Sequence, residues 1–254
     1  MTTRLLAAIE NLYEVFARYP GNANMDGSPI YDDLAEWNAA LFAKPLRELT
    51  DQDLTFFTGS VLLTWGGKDD LKHFLPRILE LTAYYNEPYD FWLLFERLTD
   101  IDWLGGPELE RAAIVEYARA LWESLLQDES DKAEWSFMEY FSTLAHFFPD
   151  FTELLATWEN APGRGPVKHL AGFVFNENQN VFDKGFIKGF YNQKEHAAEL
   201  QAWLLSLGVR QRLEAAYFTY ERQKLAGTIS WAEKILTDYH RLAELKSELP
   251  GTPQ

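Results

Sequence analysis

The chain has 254 residues, 47% of them apolar and 15% aromatic, so it can bury a substantial core and is no disordered polymer. It has no cysteine, which removes disulfides, Cys-ligated zinc, iron–sulfur clusters and a thiol nucleophile. Its net charge of −16 disfavours nucleic acid, whose phosphates it would repel, and favours a basic partner. That charge is uneven: residues 1–160 carry 29 Asp/Glu against 11 Lys/Arg, and residues 161–254 carry 10 against 12.

Residues 3–19 read as an amphipathic helix with Leu5, Leu6, Ile9, Leu12, Tyr13 and Phe16 on one face. Its charges, Arg4, Glu10, Glu14 and Arg18, are incompatible with a secretory signal. No window approaches the ~20 apolar residues that span a bilayer, so the expectation is a soluble, cytoplasmic protein with no membrane association. Pro20, Gly21 and Asn22 end the first helix. A second follows over residues 31–42, and Thr50 with Asp53 has the capping-box spacing that opens a third, through residue 63.

Residues 64–81, TWGGKDDLKHFLPRILEL, organise the middle of the chain. A Trp and a Gly-Gly break precede Asp69 and Asp70, which suit a helix start, where free amides and the dipole favour carboxylates. Leu71, Phe74, Leu75, Ile78 and Leu79 then repeat as a buried stripe, which Pro76 either kinks or restarts.

Further helices are predicted over residues 89–99, 108–126, 132–147 and 150–158. Gly105-Gly106-Pro107 marks a break before the second of these. APGRGP at 161–166 is linker-like and coincides with the change in charge. Beyond it, residues 167–175 read as helical, 176–189 as loop or short helices, and 194–207, 209–225 and 230–249 as helices. The fold expected is all-α: an irregular HEAT-like stack of eleven or twelve helices, with a compact bundle as the alternative. It divides into an acidic stack, residues 1–160, and a C-terminal helical portion, residues 161–254, packed on it in one continuous domain.

Catalytic signatures are absent. His73, His146, His169, His196 and His240 show no metal-binding spacing, and no cofactor or metal site is expected. Gly66-Gly67-Lys68-Asp69 and Gly163-Arg164-Gly165 lack the spacing and context of phosphate loops, and there is no GxSxG. His73 can pair with Asp69 or Asp70 one turn earlier, which makes it the centre of the enzyme alternative. What remains is surface. Trp65, Asp69 and Asp70 lie at one helix turn, and Asp100, Asp102 and Trp103 at another about one repeat later. Stacked helix pairs would align these turns into a partner-binding ridge of carboxylates studded with Trp. The alternative is Trp in the core and carboxylates capping helices.

The motif carried by Trp65, Gly66, Asp70, His73, Phe74, Leu75, Pro76 and Arg77 resembles one found in an uncharacterised family of bacterial all-helical proteins. Gly67 departs from the small polar residue expected in that pattern. The resemblance implies a bacterial helical protein, and some proteins of this look act as immunity partners of secreted toxins. The expected function is therefore a non-enzymatic binding module, an immunity protein whose partner is a basic toxin domain. A helical-repeat adaptor and an enzyme centred on His73 are the alternatives.

Overall fold

The computed structural model describes residues 1–187 and 194–248. Several helix boundaries have a local chemical cause. The first helix, α1 (Thr3–Phe16), opens where the Thr2 hydroxyl accepts the Leu5 amide at 3.2 Å. It is followed by α2 (Leu34–Leu41), by a 3₁₀ turn (Leu46–Glu48) that the periodicity did not predict, and by α3 (Asp51–Ser60). Thr50 and Asp53 form the expected capping box. Yet α3 stops at Ser60 rather than at residue 63, because the chain turns sharply there and Leu62 adopts a left-handed φ of 68°.

The central helix α4 (Lys68–Ala83) runs unbroken through Pro76. Without an amide, Pro76 offers no hydrogen bond to the carbonyl of Lys72. Next come α5 (Phe91–Asp100), α6 (Glu108–Gln127), α7 (Asp131–Leu144), α8 (Phe151–Asn160) and α9 (Arg164–Asn178). A π turn (Gln179–Asp183) continues directly from α9, where the sequence lacked a clean period. Residues 188–193, part of that ambiguous stretch, lie outside the described residues. The last helices are α10 (Lys194–Leu204), α11 (Leu207–Tyr220) and α12 (Leu225–Glu248); the expected end at 249 also lies outside them. With twelve α-helices and no strand among the described residues, the chain is all-α, as its periodicity predicts.

Packing separates two compact units: Met1–Ser124 with Glu139–Phe148, and Leu125–Met138 with Pro149–Gln254. The division falls inside α6 and α7. The linker-like segment 161–166 lies within the second unit. There the Gln127 side-chain amide donates to the Pro162 carbonyl at 3.0 Å, and Gly165 lies so close to the Leu126 carbonyl that a Cβ would sit 2.6 Å from it.

In the second unit α12 packs on α9 and α11. Arg212 closes the end of α8 by donating to the carbonyls of Trp158, Glu159 and Ala161 at 2.5–2.6 Å. Those are carbonyls that a helix C-terminus leaves without intrahelical donors.

In the first unit α1 packs on α4. Leu5, Ile9, Leu12 and Phe16 of α1 are buried, as are Leu71, Phe74, Leu75, Ile78 and Leu79 of α4. Each such side chain contributes about 1.5–3 kcal/mol when fully buried. A charge lies among them. Lys72 is 5% exposed, and its Nζ donates to Oε2 of Glu110, itself 3% exposed, at 2.7 Å and to the Tyr19 hydroxyl at 3.0 Å. The Tyr19 hydroxyl donates to the other Glu110 oxygen at 2.5 Å, and Arg18 pairs with that oxygen from the surface.

Breaking such a pair strands a buried charge, whereas replacing both members by apolar groups of similar volume does not. Glu110→Ala should therefore destabilise the protein by about 3–5 kcal/mol in urea unfolding. The double variant Lys72→Met, Glu110→Leu should recover most of that loss. A double variant no more stable than Glu110→Ala would show that the salt bridge itself, rather than its desolvation, carries the effect.

Candidate functional site

Trp65 is 3% exposed and Trp103 is 5% exposed, so neither projects from a ridge. Large indole rings bury more favourably than they sit in water, and here both do. The Trp103 ring lies 5.6 Å from Phe147 in the core of the first unit. The carboxylates at these turns have local tasks. Asp70 accepts the Gly67 amide at 2.8 Å as the second half of a cap, and burial raises its pKa. Asp100 pairs with Arg97 at 3.0 Å, and Asp102 accepts the Gly105 amide at 3.2 Å from a left-handed φ of 52°. Asp69 is exposed. The Trp-studded ridge is therefore corrected to two core indoles and a set of helix-end carboxylates.

His73 acts on Asp70 through its charge but makes no hydrogen bond to either aspartate. Its Nδ1 lies 2.9 Å from the Tyr19 carbonyl, and its ring stacks on Phe42 at 5.8 Å. No group of three or more His, Asp or Glu that could hold a metal occurs among the described residues, and no described helix is long and apolar enough to cross a membrane.

Trp65 nevertheless lines a concavity in the first unit. The turn that carries it is zipped to the loop before α2: Gly27 and Trp65 form an antiparallel bridge, Ser28 donates to the Thr64 carbonyl at 2.8 Å, and Gly66 donates to the Asp26 carbonyl at 2.7 Å. The buried Asn38 side chain accepts the Trp65 indole N–H at 2.9 Å and donates to the Met25 carbonyl at 2.9 Å. These bonds hold the indole beside α2 and α3. A pocket of about 360 Å³ opens there, lined by Trp37, Ala40 and Leu41 of α2, Gln52, Asp53 and Phe56 of α3, and Trp65.

On α2 the lining residues Trp37, Ala40 and Leu41 share a face at i, i+3, i+4, and on α3 Gln52 and Asp53 lie one turn before Phe56, so each helix presents one face to the pocket. Trp37 and Phe56 meet edge to face at 4.7 Å and 73°, and Trp65 lies 5.8 Å from Trp37 and 5.7 Å from Phe56. Tyr31 backs Trp37 at 4.9 Å and donates to the Thr64 hydroxyl at 2.9 Å. Phe56 stays 46% exposed, so the cluster is open to solvent on one side. Asp53 is the one charged lining residue. The Lys44 ammonium, and after it the Thr50 amide, holds its carboxyl down at about 2, so it is ionised at neutral pH.

Sequence reasoning missed this site because it looked for Trp at the helix breaks in the middle of the chain. The available signal was Trp37 and Phe56 on the two short helices that flank the capping box.

A smaller pocket of about 80 Å³ in the second unit is lined by residues including Phe137, Lys168 and His169. Two of its polar groups are engaged: Lys168 pairs with Glu134 at 2.9 Å, and His169 Nε2 lies 2.8 Å from the Asp128 carbonyl. The His169 ring is buried against Phe137 at 4.5 Å and 9°, which is the setting of a structural histidine. No protein family, curated protein or solved structure matches the chain.

Two outcomes follow from these contacts. Asn38→Ala should cost about 1–3 kcal/mol, because it leaves the Trp65 N–H and the Met25 carbonyl without their partner. Chemical unfolding would measure the loss, and an unchanged midpoint would mean that water replaces the amide. Burial lowers the His169 pKa below its ordinary 6.5. As pH falls through that value the unfolded chain binds a proton that the folded chain refuses, so acid destabilises, by at most about 1.4 kcal/mol per pH unit. His169→Gln should flatten the stability profile between about pH 5 and pH 7; a profile of unchanged slope would assign the effect elsewhere.

Proposed function

We propose that this chain is a non-enzymatic protein-binding module that engages a basic partner through the pocket between α2 and α3. The observation that carries the reading is an open aromatic pocket built on an acidic segment. Residues 26–53 hold seven Asp/Glu and two Lys/Arg, and both cations are paired, Lys44 with Asp53 and Arg47 with Glu10. Aromatic anchors supply binding free energy at the centre of an interface, while surrounding charge steers encounter and selects the partner. The buried Lys72–Glu110 pair is accounted for by folding, whereas an open aromatic pocket is not required by it.

The narrower form of this proposal is an immunity role, in which the partner is a basic toxin domain met in the cytoplasm. Support for it is the resemblance of residues 64–81 to bacterial all-helical proteins together with the acidity of the first 160 residues, 29 Asp/Glu against 11 Lys/Arg. Occlusion of a positive substrate groove by an acidic protein is a direct route to neutralisation.

The tagged chain and its Phe56→Ala variant, offered to lysate of the source cell at about 50 and about 500 mM salt, test the binding reading. A single stoichiometric basic protein should be retained at the lower salt and released at the higher, and the variant should lose it. Equal capture by both forms, or capture by neither, would refute the proposal.

A further inference from the structure

We propose that the pocket between α2 and α3 receives a guanidinium group, the side chain of an arginine presented by the partner. This rests on the protein-binding reading and names the occupant of its pocket. At about 360 Å³ the space lies at the small end of ligand sites, which suits one long side chain and excludes a folded loop.

Three rings, Trp37, Phe56 and Trp65, supply aromatic surface around it, and a cation within about 6 Å of such a ring is attracted to its face. An apolar guest would also favour the rings. The polar wall decides between the two. Asp53 Oδ2 already accepts from the Thr50 amide and hydroxyl at 2.8 Å, and an apolar side chain seated there would cover the ionised carboxylate without adding a donor to its Oδ1.

The carboxylate is also already turned toward a cation. Both its oxygens accept from Lys44 Nζ, at 3.1 and 2.8 Å, and the Lys44 side chain is 44% exposed. The chain's own ammonium, from a residue outside the pocket lining, thus already pairs with the carboxylate that a guest cation would engage. A guanidinium is the stronger occupant. It is planar, more weakly hydrated than an ammonium, stacks on an indole, and offers two parallel N–H donors to the two oxygens of one carboxylate. On this account Lys44 is an internal competitor, and an arriving arginine exchanges with it while lying against Trp37 and Phe56.

The competition gives the proposal an unusual sign. The full chain is titrated with N-acetyl-arginine amide, N-acetyl-lysine amide and N-acetyl-norleucine amide up to about 50 mM, a range that reaches weak single-side-chain affinities. Binding is read from the indole N–H resonance of Trp37. The arginine probe should bind, and the other two should bind at least about tenfold more weakly. Phe56→Leu keeps apolar volume without the ring, and Asp53→Asn keeps a capping oxygen without the charge. Each should weaken the arginine probe about tenfold, with thermal unfolding confirming that both variants are folded.

Lys44→Met should tighten the arginine probe, an effect that a merely structural lysine would not produce. Equal affinity for norleucine, equal affinity for lysine, or a Lys44→Met variant that binds arginine no better would each overturn the guanidinium assignment. A probe that binds as expected to a chain that captures no protein would remove the protein-binding reading and leave the pocket chemistry standing. A captured protein with no bound arginine probe would do the reverse.

Discussion

The first unit is built around a lysine that its surroundings should reject. Helix α4 is buried on almost every side: Leu71, Phe74, Leu75, Pro76, Ile78, Leu79, Leu81, Thr82 and Ala83 are all covered, and Lys72 lies among them. The helix keeps one polar stripe, Asp69, Asp70, His73, Arg77 and Glu80, all exposed or half-buried, and Lys72 lies off it among the packed faces. Lys72 is tolerated because Glu110 of α6 and Tyr19, just past α1, converge on its ammonium. Such a pair is weak as a source of stability and strong as a specifier of register, since any shift of α4 along α6 would separate the charges in a low-dielectric interior.

Other polar contacts fix the same helix. Buried Tyr117 of α6 donates its hydroxyl to the Leu79 carbonyl at 2.7 Å, and Tyr140 of α7 reaches the Thr82 carbonyl at 2.8 Å. Desolvation raises both phenols well above their ordinary pKa, which keeps them neutral donors. The Tyr19 carbonyl meanwhile takes the His73 ring. Helix α4 is therefore positioned by directional bonds from three sides, and apolar packing fills the space between them. Hydrophobic contact alone is non-directional and would leave neighbouring registers close in energy.

Much of this was legible in the sequence. The stripe from Leu71 to Leu79, the capping box at Thr50 and the restart after Gly105-Gly106-Pro107 all express local rules, and local rules survive folding. Features that depend on partners distant in sequence were not legible. Lys72 is adjacent to Leu71 and one turn from Pro76, and nothing nearby announces that Glu110, 38 residues away, will take its charge inside. The same limit misplaced Trp65 and Trp103. A Trp beside a Gly-Gly break reads equally well as an exposed anchor or a core ring, and the choice was made by Asn38 and Phe147, both remote in sequence. The early end of α3 depended on the left-handed turn at Leu62, a conformation that a leucine does not advertise.

The two short helices α2 and α3 differ from α4 in a way that bears on function. The deep core of the first unit uses its aromatic residues to exclude water, whereas the rings of α2 and α3 close only part of a cluster. Trp65 is fixed by Asn38 and by the backbone bridge to Gly27, so the floor of the pocket is rigid. Phe56 is held by ring contacts on one side and water on the other. A fixed floor with an exposed rim lowers the ordering cost of binding, because the anchor residues lose little freedom when a guest arrives. The five exposed carboxylates of this segment, Asp26, Asp32, Asp33, Glu36 and Glu48, have no partner in the pocket and act at longer range, through a field that salt can screen. Contact and field are thus supplied by different residues of one short segment. Selectivity for a basic surface can then arise from its exposed acids while binding strength resides in its rings.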